Sequence, residues 1–381
     1  MDSVEEKYLE LLRAALWGGN ELTSEGVNEL MSERINELTS EGVNEIIRLA
    51  AFQGTGPLVY DQLLKMPEVE IPAELRMQMK QQCVSTMMQQ QRMAPLLTQA
   101  WKALEQSDIH PVLLKGAGLA QYYPQPHLRQ WGDIDLYVGQ ENFIKACDIL
   151  RKTFPDSIYG EKPVEGCKHH NFDFPGTAIE THRISMGFAH PCDRRYYEHL
   201  EKIYLTPNGP SFDYEGLSIT TPEETFNVFF TFLHAWHHFE GSGMNMKQLC
   251  DVAVLLHAER DVIDKERMQE MLTKLHLMEV WQLFMYIIAN HLGLPEEECP
   301  FYTEECQERA ELLFERIMRE SSAREHETSK AEGASYLKRK WITFQSRMAN
   351  SRLVRTYAPK YAWHKMVGDV LHGVERTMRR K

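Results

Sequence analysis

The two ends of the chain carry apolar residues at helical spacing. Near the start, Leu9, Leu12 and Leu16 follow one another three and four residues apart, which places them on one face of a helix. Similar periodicity recurs up to residue 105 and again throughout the last third of the chain. The pattern therefore predicts a helical N-terminal region at residues 1–105 and a helical C-terminal region at residues 223–381.

Between these two regions the apolar residues form short runs, which are typical of strands. Residues 112–114 are one such run, residues 134–138 are a second, and residues 169–184 have the pattern of a hairpin. A helix is predicted over residues 141–153, after the second run. We therefore predict an α+β fold, in which residues 106–222 form a core with a small mixed sheet.

Composition and cysteine usage set the broad class of protein. Hydrophobic residues make up 43% of the chain and charged residues 25%, which is ordinary for a globular protein. The seven cysteines are scattered without a CxxC pair, as expected of reduced thiols. The acidic start does not resemble a secretory signal, and no apolar run is long enough to span a bilayer. We expect a cytoplasmic protein without a membrane span.

Charge is distributed unevenly along the chain. The total is −13, but twelve Lys and Arg residues against two acidic ones fall between Tyr336 and Lys381, so this basic tail carries +10 and the preceding 335 residues carry −23. Six aromatic residues interrupt the basic ones, which predicts that part of the tail is a helix packed on the rest of the chain. The tail can bind a polyanion such as RNA or pack on the acidic part of its own chain, and we favour the packing.

Two aspartates stand in the second apolar run of the predicted core. Asp133 and Asp135 are two residues apart on a predicted strand, so their side chains point to the same face while Ile134 points into the core. Their α-carbons are then roughly 6.6 Å apart, close enough for both carboxylates to reach one Mg²⁺ or a pair of ions. The alternative is a strand end that carries two solvated aspartates.

A Lys-Gly turn precedes these aspartates. Lys115 and Gly116 follow the first apolar run, and Gly118 lies in the segment that can begin a helix. Glycines at a strand-to-helix turn expose backbone N–H groups that can bind an anion, and a lysine adds a point charge for a phosphate. A plain tight turn without a ligand explains the same residues.

A third carboxylate lies in the predicted hairpin. Glu180 stands in the middle of the second hairpin strand, where a charge is costly unless it has a partner. A cation shared with Asp133 and Asp135 would supply that partner. The alternative is an edge-strand glutamate that faces water.

Together these motifs resemble a known superfamily. Leu114-Lys115-Gly116, Tyr122-Tyr123-Pro124, Arg129 and Gly132-Asp133-Ile134-Asp135-Leu136 are similar to the core of the nucleotidyltransferases with a polymerase-β-like palm, and in particular to a group of uncharacterised bacterial members. In that group a later Glu-x-His strand supplies the third acidic residue, which matches Glu180-Thr181-His182. The similarity is strongest between residues 109 and 188.

The resemblance implies a fold, a reaction and a set of residue roles. It implies a nucleotidyltransferase palm flanked by helical regions, which transfers a nucleoside monophosphate from an NTP, with ATP as the expected nucleotide, to an acceptor hydroxyl. The cofactor is expected to be Mg²⁺, with Mn²⁺ as a substitute, and the acceptor a small molecule, a protein or RNA. Metal-binding and catalytic roles are implied for Asp133, Asp135 and Glu180. Contacts with the nucleotide are implied for Lys115, Gly116, Gly118, Arg129 and Lys247.

Two other functions fit parts of the sequence. His234 and His238 are one helical turn apart, and together with Asp251 they suggest a metal-dependent phosphohydrolase. Such a site would hold Zn²⁺, Mn²⁺ or iron at its imidazoles, whereas the carboxylate site would hold Mg²⁺. The third possibility is a module that binds a nucleotide without catalysing a reaction, and it would show NTP binding without turnover.

Overall fold

The structure is a computed structural model that describes most of the chain. The described residues are 3–18, 39–67, 69–160, 163–164, 166–241, 243–320 and 353–378. They belong to two compact units. One, the helical unit, comprises Met1–Lys80 and Val228–Lys381, and the other, the sheet unit, comprises Gln81–Asn227. The predicted core at 106–222 lies within the sheet unit, and the division of the chain into three regions stays a prediction.

Helices dominate the described part of the chain, as the periodicity predicts. The α-helices are α1 (Ser3–Trp17), α2 (Ser40–Phe52), α3 (Gly56–Leu64), α4 (Ala73–Glu105), α5 (Ala117–Ala120), α6 (Gly139–Thr153), α7 (Pro191–Tyr204), α8 (Glu224–Glu240), α9 (Met246–Glu259), α10 (Lys265–Lys274), α11 (Met278–Leu292), α12 (Gln307–Glu320) and α13 (Pro359–Met378). Single 3₁₀ turns lie at Pro126–Leu128, Glu296–Glu298 and Glu304–Cys306.

The sheet unit contains the small mixed sheet that the short apolar runs predict. Its strands are β1 (Val112–Leu113), β2 (Asp133–Tyr137), β3 (His169–Phe174) and β4 (Thr177–His182), in the order β1-β2-β4-β3. Strands β2 and β4 run parallel, whereas β1 is antiparallel to β2 and β3 is antiparallel to β4. A separate hairpin pairs β5 (Ser211–Tyr214) with β6 (Leu217–Thr220). The α+β class with a small mixed sheet is confirmed.

One face of this sheet forms the core of the unit. Ile134 and Leu136 on β2, Phe172 on β3 and Ile179 on β4 are fully buried, and they belong to one apolar cluster. The same cluster contains residues of α4 and α6, which cover this face of the sheet. Because side chains alternate along a strand, the residues between these apolar positions point to the opposite face. That opposite face carries the polar side chains.

The helical unit has an aromatic core of its own. Phe232 on α8 packs edge-on against Trp281 and Phe284 of α11, with ring centroids 5.0 Å apart in each pair. Trp17 of α1 donates a hydrogen bond from its indole N–H to the carbonyl of Leu292. Among the described helices, none is long and apolar enough to cross a membrane.

Part of the basic tail packs on the helical unit, as its aromatic residues suggest. Tyr361 of α13 is buried, lies edge-on to Trp236 and hydrogen-bonds to Glu240 through its hydroxyl. Lys365 forms an ion pair with the same glutamate at 2.6 Å. The basic residues at 338–352 and 379–381 lie outside the described residues. RNA binding by the tail stays a prediction.

Candidate active site

The candidate site lies on the polar face of the sheet, where β2 and β4 run side by side. The register pairs Asp135 with Glu180, and it pairs Tyr137 with His182 two residues further along. Strand alternation therefore places Asp133, Asp135, Glu180 and His182 on one face. The sequence prediction that Asp133 and Asp135 share a face agrees with this register, which adds Glu180 to that face.

Three of these side chains converge. The Nε2 atom of His182 lies 2.9 Å from Oδ1 of Asp135 and 3.4 Å from Oε2 of Glu180. One ligand atom from each of the three residues lies within 4.8 Å of the others, a geometry that can hold a metal ion. Asp135 and His182 are buried, and Glu180 is half-buried. The trio therefore forms a compact site at the edge of solvent.

Interactions within the trio favour the ionised form of Glu180. Burial acts to lower the pKa of His182, but the hydrogen bonds to Asp135 and Glu180 outweigh burial, so the pKa of this imidazole is raised. The hydrogen bond from His182 is also the main reason why the pKa of Glu180 is lowered, against the effect of its own burial. An ionised Glu180 beside an aspartate is suited to bind a cation.

Asp133 occupies a different position. It begins β2, is half-buried, and lies outside the converged trio. Its charge nevertheless reaches the site, because it contributes to the raised pKa of Lys115. Its metal-binding role stays a prediction.

Lys115 lies beside the carboxylates. Its Nζ atom is 3.1 Å from Oδ2 of Asp135, and both side chains are largely buried. Burial acts to lower the pKa of Lys115, and the charges of Asp135 and Asp133 raise it more, so the ammonium stays protonated. The backbone N–H of Leu114 bonds to the carbonyl of Asp135 at 3.1 Å, which fixes the end of β1 against β2. Asp135 thus meets two nitrogen groups, the Lys115 ammonium and the His182 imidazole.

The turn after Lys115 requires glycine at its first position. Gly116 has φ +63°, and a Cβ at this position would lie 3.1 Å from the ring of Trp131 and 3.4 Å from the carbonyl of Asp133. The buried Arg129 donates from Nη1 to the carbonyl of Gly116 at 3.2 Å. The N–H of Gly118 donates to the carbonyl of Lys115. The observed contacts of Arg129 and Gly118 therefore hold the turn, and their roles toward phosphate stay predictions.

Two residues of this face had no role predicted from the sequence. His182 appeared only as part of the Glu-x-His motif, although alternation along β4 already places it on the same face as Glu180. Asn171 on β3 pairs in register with Glu180, and its side-chain Nδ2 donates to Oε1 of that residue at 3.5 Å. Asn171 was missed because its amide gains a role only when strand pairing places it opposite Glu180.

A buried carboxyl group anchors the segment that leaves β4. Ser185 donates to Glu201 of α7 from both its backbone N–H and its hydroxyl, the latter at 2.6 Å. The hydroxyl of Tyr197 lies 2.9 Å from the same serine Oγ. Burial raises the pKa of Glu201 to about 7, in spite of the hydrogen bonds from Ser185. The path of the chain just after His182 thus depends on a carboxyl group that is costly to ionise.

This carboxyl group predicts a pH dependence of stability. A pKa raised from 4.5 to about 7 means that the folded chain binds this proton more tightly than the unfolded chain. The Glu201 carboxyl group therefore contributes most to the free energy of unfolding below pH 4.5. This contribution is lost as the pH rises toward 7, and it does not change further above pH 7. Between pH 5 and pH 8, we expect the free energy of unfolding of Glu201→Gln to rise by about 3 kcal/mol relative to that of wild type.

Urea unfolding at a series of pH values measures this difference. The exposed Glu141 lies on α6 of the same unit, and Glu141→Gln is the matched control, which should change stability by less than about 0.5 kcal/mol. If the difference in unfolding free energy between Glu201→Gln and wild type did not change with pH, ionisation of Glu201 would not cost stability.

The remaining predicted residues belong to the helical unit. Lys247 lies on α9, where its backbone N–H donates to the carbonyl of Gln53, and its role toward the nucleotide stays a prediction. His234 and His238 face each other on α8 with their Nε2 atoms 3.0 Å apart. In the described part of the chain these two histidines and Asp251 do not form a group of three converging ligands. The phosphohydrolase alternative stays a prediction.

The fold and the site together define the class of protein. Carboxylates on adjacent strands of a small mixed sheet, next to a Lys-Gly turn, are what the resemblance to nucleotidyltransferases implies. A family model described as "uncharacterised nucleotidyltransferase" matches residues 39–293, which is most of the chain. The chain belongs to this family, and it is a nucleotidyltransferase. No curated protein matches the chain, and no solved structure does either.

Proposed function

We propose that the protein transfers a nucleoside monophosphate from an NTP to an acceptor hydroxyl with the help of a divalent cation, Mg²⁺ being the expected ion. The observation that carries the proposal is the convergence of Asp135, Glu180 and His182 on adjacent parallel strands of a nucleotidyltransferase. ATP is the expected nucleotide. The acceptor is a small molecule, a protein or RNA, and we expect the reaction to take place in the cytoplasm.

The residues of the site fit a divalent cation. Asp135 and Glu180 supply carboxylate oxygens, which are the ligands that Mg²⁺ prefers, and Asp133 adds a third carboxylate on the same face. A half-buried position leaves room for the waters and phosphates that complete the coordination of Mg²⁺. When bound, the cation would neutralise charge on the triphosphate and make its α-phosphorus open to attack.

The side chains of the protein have separate proposed tasks in this reaction. Glu180 accepts the proton of the acceptor hydroxyl as the hydroxyl oxygen bonds to the α-phosphorus. The bond from this phosphorus to the bridging oxygen breaks, and pyrophosphate leaves with the electron pair. Arg129 neutralises charge on the leaving pyrophosphate, directly or through the turn it holds. Metal ligation by the carboxylates positions the reacting groups.

The nucleotide is proposed to bind next to the Lys-Gly turn. Lys115 offers its ammonium to the triphosphate as well as to Asp135, from which it lies 3.1 Å away. The backbone N–H of Gly116 is a proposed anion donor of the turn, whereas that of Gly118 would have to leave the carbonyl of Lys115, to which it donates, to bind an anion. Lys247 is a further residue for which a phosphate contact is predicted.

One experiment tests the whole proposal. The purified chain is incubated with each of four α-labelled NTPs, Mg²⁺ and cell fractions that contain small molecules, proteins or RNA. We expect pyrophosphate release together with label transfer to one fraction. Tight NTP binding without transfer to any fraction would contradict the proposal and favour a nucleotide-binding module without catalysis.

Glu180→Gln separates chemistry from binding. We expect transfer to fall about 10²- to 10⁴-fold, because the variant cannot accept the proton of the hydroxyl, while NTP affinity changes less than about threefold. Single-turnover rates and equilibrium binding measure the two effects. The matched control is Asp173→Asn, which removes an exposed carboxylate from the neighbouring strand β3 and should leave both quantities unchanged. A collapse of NTP affinity in Glu180→Gln would show that Glu180 acts in binding and not at the acceptor.

A further inference from the structure

We propose that His182 is itself a ligand of the cation, so that the site prefers a first-row transition-metal dication such as Mn²⁺ to Mg²⁺. This inference rests on the proposed function, because it concerns the same site. It adds a nitrogen ligand to the carboxylates that the sequence predicts, and it changes the expected choice of metal.

The positions of the ligand atoms support this role. Nε2 of His182 lies 2.9 Å from Oδ1 of Asp135 and 3.4 Å from Oε2 of Glu180. Two neighbouring ligands that are each about 2.1 Å from one octahedral ion lie about 3.0 Å apart. The imidazole nitrogen is therefore at this separation from Asp135 and slightly beyond it from Glu180.

The surroundings of the imidazole direct Nε2 to the carboxylates. His182 is buried, and its Nδ1 atom has no hydrogen-bond partner among the residues that the structure describes. Its Nε2 atom meets Asp135 and Glu180. The ring cannot turn toward solvent without breaking both contacts, so it is held in place for a ligand that sits between the two acids.

The chemistry of the ligand set decides the metal. Mg²⁺ prefers oxygen ligands and imidazole suits Zn²⁺, Cu²⁺, iron and Ni²⁺, while Mn²⁺ also binds oxygen ligands well but belongs to the same first-row series as these ions. Two carboxylates and one imidazole form a mixed set, which Mn²⁺ accepts through all three ligands. Mg²⁺ would use the carboxylates and gain little from the nitrogen. The selectivity of the site therefore depends on His182.

The competing interpretation is that His182 only positions the carboxylates. In that case it donates a hydrogen bond to Asp135 and Glu180 and never binds the ion. A positioning histidine would support every divalent cation equally, because all of them bind the same two carboxylates. A ligand histidine would support Mn²⁺ selectively and would place a nitrogen next to the bound ion.

Pulsed electron paramagnetic resonance of Mn²⁺ bound to the full-length protein tests the proposal without relying on activity. We expect echo modulation from a directly bound ¹⁴N in the wild type and its loss in His182→Gln. Growth with ¹⁵N-histidine assigns the nitrogen to an imidazole even if the variant fails to fold. The matched control, His170→Gln, removes a histidine on β3 that is in register with Thr181 on the opposite face of the sheet, and it should keep the modulation.

Metal titrations give a second readout. We expect His182→Gln to weaken Mn²⁺ binding at least tenfold and Mg²⁺ binding less than about threefold. The proposal would be overturned if the wild type bound no Mn²⁺, or bound it without nitrogen modulation. It would also be overturned if the modulation persisted in folded His182→Gln, or if this variant lost affinity equally for Mn²⁺ and Mg²⁺.

These outcomes are independent of the proposed function. A protein that binds Mn²⁺ through His182 but transfers no nucleotide would refute the function and keep the metal site. A protein that transfers a nucleotide with an all-oxygen metal site would refute only the inference about His182.

Discussion

Asp135→Asn is expected to lower the rate of pyrophosphate release about 10³-fold in saturating NTP and divalent cation. Asp135 is the most buried acid of the site and meets both Lys115 and His182. Asparagine keeps the shape of the side chain but removes the charge that holds the cation. The loss should therefore fall on the chemical step even when the nucleotide is bound.

Steady-state kinetics and circular dichroism of the purified variant measure this effect and confirm that the protein is folded. The matched control is Asp213→Asn, which removes an exposed aspartate from β5 in the same unit and should leave turnover unchanged. We expect Asp133→Asn to abolish turnover as well. If the folded Asp135→Asn variant turned over at a rate close to that of wild type, the reaction would not depend on a metal held at this face of the sheet.

The fold class could be predicted because it depends on local patterns. Helical periodicity gave way to short apolar runs near residue 112, and the strands β1, β2, β3 and β4 lie where those runs lie. The order β1-β2-β4-β3 was not predictable in the same way. It depends on pairing between strands that are far apart in sequence, such as Asp135 with Glu180, and no local pattern encodes that pairing.

The candidate site shows the same division. Alternation along one strand was enough to place Asp133 and Asp135 on one face, and a charge in mid-strand marked Glu180. The role of His182 was missed because its partner Asp135 is 47 residues away and the motif alone gave the imidazole no partner. Glu201 was missed because α7 has the sequence of a polar surface helix, and only the fold shows that its last turn buries a carboxyl group.

Lys115, for which the sequence predicted a phosphate contact, has a protein partner in the structure. The sequence predicted a phosphate contact from its position before Gly116. The structure places its ammonium on Asp135, because β1 ends beside β2. The sequence could not show this ion pair, since the two residues meet only when β1 and β2 pair antiparallel.

This ion pair leads to the second large effect, on stability. We expect Lys115→Met to lower the free energy of unfolding by about 3 kcal/mol in buffer without divalent cations. The substitution leaves the buried Asp135 carboxylate without its ammonium partner, and such an uncompensated charge is costly. His182 still donates to Oδ1 of Asp135, which places the loss at the lower end of the range for broken buried pairs.

Denaturant unfolding in EDTA measures the loss. Lys145→Met is the matched control, because Lys145 is exposed on α6 and its ammonium bonds to a neutral carbonyl, that of Ser107. We expect the control to change stability by less than about 0.5 kcal/mol. A similar small change in Lys115→Met would show that the pair with Asp135 does not stabilise the fold.

The double variant Lys115→Met with Asp135→Asn separates charge from packing. It removes both partners, so neither is left buried and unpaired. We therefore expect the double variant to lose less unfolding free energy than the sum of the two single losses, by at least about 1 kcal/mol. Strict additivity would mean that the two side chains contribute independently. A positive coupling would mean that Lys115 and Asp135 stabilise each other in the absence of a cation, as their 3.1 Å ion pair predicts.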